Sequence, residues 1–80
     1  MPTVLRSGPC RVYFYRHDLN EPPHVHVDRE DRSAKSWLAP VSLARNLGFK
    51  SNELRVIERL LVEHEALILT AWHRHLGGEQ

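Results

Sequence analysis

Polar and apolar residues alternate most regularly in Glu21-Pro22-Pro23-His24-Val25-His26-Val27-Asp28. In an extended strand this sends Val25 and Val27 to one face and His24, His26 and Asp28 to the other. A similar alternation runs through Cys10-Arg11-Val12-Tyr13-Phe14-Tyr15-Arg16, with Val12 and Phe14 on one side and Arg11, Tyr13 and Tyr15 on the other. Thr3 to Arg6 is a shorter extended piece, set off by the turn signal Ser7-Gly8-Pro9, and His17 to Pro23 is a polar, proline-closed loop. Arg29-Glu30-Asp31-Arg32 is a hairpin turn without glycine. A two-residue loop at Glu30-Asp31 pairs Asp28 with Ser33, His26 with Lys35 and His24 with Trp37. Lys35 and Trp37 then stand beside the histidines, and Ala34, Ser36 and Leu38 beside the valines. A one-residue change in the loop would invert the arrangement.

Beyond Ala39-Pro40 the pattern weakens. Val41 to Arg45 reads as a further strand or an irregular connection, and Asn46-Leu47-Gly48 as a turn. From about Asn52 to Leu76 the period becomes helical, with Ser51 as the expected cap, Phe49 packing across the helix entry and Gly77-Gly78 as the stop. Leu54, Ile57, Leu61, His64, Ile68 and Trp72 form one stripe, widened by Leu60, Leu67 and Ala71, while Val62, Ala66 and Leu69 lie toward the other side. Covering one face of a small sheet needs only a stripe. The excess calls for a second contact, either a bend at Glu63-His64-Glu65 that wraps the sheet or a partner surface. The fold class is therefore α+β: an antiparallel sheet of four or five strands, with one long, bendable C-terminal helix packed on one face. The other face, carrying Arg11, Tyr13, Tyr15, His24, His26, Asp28, Lys35 and Trp37, is expected to be open to water.

Eighty residues allow one domain, 1–80, and a limited core that a partner or a self-dimer would help to stabilise. With 41% apolar and 26% charged residues the chain is globular rather than disordered. It has no membrane-length apolar run and no signal-peptide pattern, and its single cysteine, Cys10, has no partner for an internal disulfide. A cytoplasmic location is expected. A net charge of +1 does not by itself predict nucleic-acid binding, although nine arginines against two lysines favour planar contacts with carboxylates, phosphates or rings.

His24 and His26, about 6.5–7 Å apart on one strand face, admit three uses. As a general acid and base they would cleave a phosphodiester, a ribonuclease-like activity without a cofactor. As metal ligands they would need Asp28 to hold a divalent ion such as zinc. As part of a recognition surface for RNA or another substrate they would join stacking rings, Tyr13, Tyr15 and Trp37, and phosphate-contacting cations, Arg11, Arg16 and Lys35. Pro22 and Pro23 are structural residues that set where the first histidine emerges. His64 reads as a hydrogen-bonded core or edge residue and Trp72 as core. His73 and His75 suit the helix C-terminus, and no base is identifiable for Cys10 as a nucleophile. The chain has no phosphate-binding glycine loop, nucleophile elbow or paired-cysteine motif.

Met1-Pro2-Thr3, Pro22-Pro23-His24-Val25-His26-Val27, Ala34-Lys35 with Trp37-Leu38, Pro40-Val41 with Leu43-Ala44, Gly48-Phe49, Glu53-Leu54, Glu63-His64 and Trp72 together resemble a family of small bacterial proteins, the domain of unknown function 4160 family. The resemblance implies no established activity. It does imply a small cognate partner protein of another uncharacterised family (domain of unknown function 2442) encoded nearby, an arrangement described as a toxin–antitoxin-type pair, and with it a role on RNA or translation. Carried onto this chain, the family's signature positions are Pro22, Pro23, His24 and His26, with His64 and Trp72 in the helix. The chain departs from the family pattern at Ser36, where an aromatic residue is expected, at Ala39, where aspartate is common, and at His75-Leu76, where an aromatic pair is usual.

Overall fold

The computed structural model describes residues 3–14, 21–38 and 40–74. Tyr15, Arg16, His17, Ala39, His75 and the glycine stop at Gly77-Gly78 lie outside the described residues. Five strands form one antiparallel sheet in chain order: β1 (Thr3–Ser7), β2 (Cys10–Tyr13), β3 (His24–Arg29), β4 (Arg32–Trp37) and β5 (Ser42–Leu47). Two helices follow, α1 (Ser51–Glu63) and α2 (Glu65–Trp72). The architecture is α+β, with both helices on the valine side of the sheet.

The β3–β4 register is the expected one: His24 opposite Trp37, His26 opposite Lys35, Asp28 opposite Ser33. It follows from a two-residue loop in which Glu30 takes a positive φ of 57°. Val12, Phe14, Val25, Val27, Ala34 and Leu38 from the sheet pack against Ile57, Leu61, Ile68 and Trp72 from the helices. Ser36, the polar residue on the valine face, is buried, and its hydroxyl donates toward the carbonyls of Trp37 (3.1 Å) and Ser42 (3.2 Å). Here β5 carries one extra residue. Lys35 pairs with Arg45 but Ser36 pairs with Leu43, so Ala44 is a bulge. Of the two readings of Val41 to Arg45 the strand is the one formed, beginning at Ser42 and continuing through Asn46 and Leu47, where the sequence reads as a turn.

The bend allowed for at Glu63-His64-Glu65 is present as a full break: the helical segment is two helices, interrupted at His64 (φ −110°, ψ 17°). The Leu60 carbonyl accepts both the His64 backbone N–H (3.1 Å) and the ring Nδ1–H (2.9 Å), so the side chain competes for the helix ladder where the bend falls. The N-cap is Lys50, with Ser51 the first helical residue. The anchoring group is Glu53, whose Oε1 accepts the Lys50 backbone N–H at 2.9 Å. Leu67 is exposed rather than part of a widened buried stripe, because it lies about 100° around α2 from Ile68, which faces the core.

Glu53 also ties α1 to the β3–β4 hairpin. Its Oε2 lies 2.6 Å from Arg32 Nη1 and 3.8 Å from Arg29 Nη1. The Lys50 backbone N–H is the main reason its carboxyl titrates below the usual range; the nearby arginines overcome the opposing effect of burial. For Arg32 burial acts first and downward, but the carboxylates of Glu53 and Glu30 outweigh it and raise its value. The Arg32 stem crosses over Gly48, where a Cβ would stand 2.9 Å from Arg32 Cγ and where φ is +104°.

Candidate functional site

The histidine strand emerges from a stiff entry. The Pro23 carbonyl accepts the Leu38 N–H at 2.9 Å, and the Pro22 carbonyl lies 3.0 Å from His24 Nδ1. A carbonyl only accepts, so the proton of that bond sits on His24 Nδ1. Both prolines thus fix the start of β3, Pro23 by extending the pairing with β4 and Pro22 by accepting from the His24 ring.

The side chains of this face form a continuous packed row. His24 makes edge-type contacts with His26 (ring centroids 5.3 Å apart) and Trp37 (5.7 Å). His26 stacks on Tyr13 (5.4 Å, 24° between planes), and the Tyr13 hydroxyl donates to Asp28 Oδ2 at 3.0 Å. Arg11 lies over the Tyr13 ring at 4.6 Å, and Lys35 Nζ over Trp37 at 4.7 Å. Lys35 also reaches Glu21 Oε1 at 2.7 Å, the same oxygen that stands 3.6 Å from His24 Nδ1.

This arrangement corrects the expectation of a wholly water-facing surface. His24 is only 1% exposed and Tyr13 is buried. Tyr13 is covered by His26 and Arg11, and His24 by Trp72, which closes the end of the sheet where β3 begins. Its ring meets Phe14 edge-on at 5.4 Å and His24 at 5.2 Å. Alternation along a strand assigns a face, but it does not register a helix that reaches past the sheet's end. Trp72 is therefore core, as the helical stripe implied, and it also roofs the first histidine.

The structure brings together His24, His26, Arg11, Tyr13, Lys35 and Trp37, while Tyr15 and Arg16 fall outside the described residues. The contacts within this group limit its chemistry. A base cannot stack on a Tyr13 face already occupied by His26 and Arg11, and Lys35 is committed to Glu21 and Trp37. The zinc-type set His24, His26 and Asp28 is not assembled. Asp28 turns to Tyr13, and among the described residues no three His, Cys, Asp or Glu side chains are grouped to hold an ion.

A second feature lies on the opposite face, at β5. Every residue of this edge strand is exposed, including Leu43 (51%) and Leu47 (57%). Beside it runs a groove of about 160 Å³, floored by Val27, Ala34 and Ser36 and walled by Leu43 on one side and Leu54 and Leu61 on the other. The far edge is treated differently: α2 packs against β1, and Val4 and Leu5 join the core there. The available sign in the sequence was the apolar pair Val41 and Leu43 in a stretch, 41–52, that contains no acidic residue. No helix among the described residues is long and apolar enough to cross a membrane.

Fold and site define a small α+β module: a five-stranded antiparallel meander backed by a broken helix, with a histidine-bearing third strand. The chain belongs to the family described as Domain of unknown function (DUF4160), whose model matches residues 10–73. No curated protein and no solved structure matches it.

Proposed function

We propose that this protein is a non-catalytic protein-interaction module, the bound member of a two-protein unit of the kind the family resemblance implies. The observation that carries this reading is the uncovered apolar side of the molecule. Leu43, flanking an open apolar groove, is exposed, as are Val62 and Leu67 on the helices. In an 80-residue domain, whose core is limited by its size, leaving these in water is costly unless something covers them. The histidine row, by contrast, is engaged in packing. An acid/base pair acting on RNA needs both rings within reach of a substrate, and His24 is enclosed by Trp37, Trp72 and the Pro22 carbonyl. On this reading His24, His26 and Tyr13 hold the sheet in shape, and the partner meets the molecule elsewhere.

The test is co-purification of the tagged chain at native expression, with the bound protein identified by mass spectrometry. Wild type is expected to bring down one partner in stoichiometric amount, and Leu43→Asp to lose it. Induction of the wild-type chain should leave total RNA intact. RNA loss with wild type but not with His26→Ala would overturn the reading in favour of a histidine-dependent nuclease.

A further inference from the structure

We infer that the β5 edge and the groove beside it take an extended segment of a second protein, one that alternates apolar and acidic residues and adds to the sheet as a sixth strand. This rests on the interaction-module reading and specifies the partner's chemistry. Among the described residues β5 pairs only with β4, so its outer edge presents backbone groups to any incoming strand. A strand added there would send alternate side chains to the two faces. On the helix side they would fall beside Leu43 and over the groove, whose exposed lining is mostly carbon. That side calls for apolar residues.

On the other face, beside Leu47, the charged neighbour is Arg45. It stands opposite Lys35, and Lys35 is already paired with Glu21 at 2.7 Å. Arg45 is exposed and has no acidic residue near it in sequence, since positions 41–52 contain Arg45 and Lys50 but no Asp or Glu. The incoming strand therefore needs a carboxylate at the cross-strand position. The same residue argues against a second copy of this chain. Antiparallel pairing of β5 with itself in the register centred on Arg45 would bring two Arg45 guanidiniums together, and like charges facing each other are unfavourable. The Ala44 bulge further limits which strands fit, because it re-aims Leu43 and Arg45 toward opposite faces.

The experiment is an NMR titration of the full chain with a blocked octapeptide of alternating valine and glutamate, using the valine–lysine peptide as control. The expected result is that β5 amide signals move and gain exchange protection with the glutamate peptide only. Leu43→Asp should abolish the effect. Arg45→Glu should weaken the glutamate peptide by about tenfold and transfer preference to the lysine peptide. That exchange of preference requires a folded variant, so it is not produced by unfolding. If neither peptide perturbs β5 at millimolar concentration, the strand-addition inference falls, and co-purification sensitive to Leu43→Asp would still sustain the interaction module. If the free protein is a dimer that Leu43→Asp converts to monomer, a second copy occupies the face and the inference is overturned.

Discussion

At Glu30 a carboxylate-bearing residue sits at a φ of 57°, where L side chains crowd the backbone. Its ion pair with Arg32 at 3.0 Å is solvent-exposed and contributes little. Glu30→Gly is therefore expected to raise stability by about 0.5–1 kcal/mol, read as an increase in the urea midpoint without a change in slope. His24 is the opposite case. Truncating a side chain packed on all sides by rings, as in His24→Ala, should cost about 2–4 kcal/mol by the same denaturation measurement, while the half-buried His26→Ala should cost clearly less. Equal small effects at both positions would contradict the structural role given to His24. At this scale the sequence was informative about position but not environment. Alternation placed His24 and His26 correctly on one face, but burial of the first depends on Trp72, forty-eight positions later in the chain.

Among the elements, the N-terminus of α1 has the best-defined electrostatics. Glu53 has a folded-state value below its unfolded 4.5, so its contribution is fully present above that value and fades as pH falls through the folded one. The raised value of Arg32 acts in the other direction, its contribution present across the acid and neutral range and lost only in strong base, so the acid limb is where the pair is measurable. Glu53→Gln is expected to be less stable than wild type at pH 7 and to lose less on acidification below about pH 5. Parallel pH–stability curves for the two proteins would refute the assignment. The other end of the helical segment is held by packing. Trp72→Ala should lower stability by about 3–5 kcal/mol and, through the lost roof, increase exchange at the start of β3. The bend at Glu63-His64-Glu65 was legible because an apolar surplus needed a change of direction. The cap was not, since serine at position 51 competes with the carboxylate of Glu53, and only the geometry of the entry chooses between them.

For the molecule as a whole, stability and association should separate. Leu43 lies half in water beside the groove, so Leu43→Asp is expected to change the melting free energy by less than about 0.5 kcal/mol while removing partner binding. A large fall in melting temperature would mean that β5 belongs to the core rather than to an interface. The asymmetry between the two sheet edges has a simple cause. After the break at His64, α2 turns toward β1 and packs there, while every residue of β5 stays exposed. The family match over 10–73 includes both the histidine strand and β5, so either feature lies inside the shared domain.

The sequence by itself determined the α+β class, the strand pairing around Glu30-Asp31, the two faces of β3 and an apolar surplus on the helix that called for a bend or a partner, because each depends on a local period or a loop length. The strand nature of Ser42–Leu47 was less legible, since its bulge at Ala44 breaks the alternation by which a strand is recognised. Only the tertiary structure decided which face is wet. Burial belongs to the far side chain that arrives, Trp72 over His24, and exposure to the one that does not, at Leu43, and neither distance is written in the local pattern.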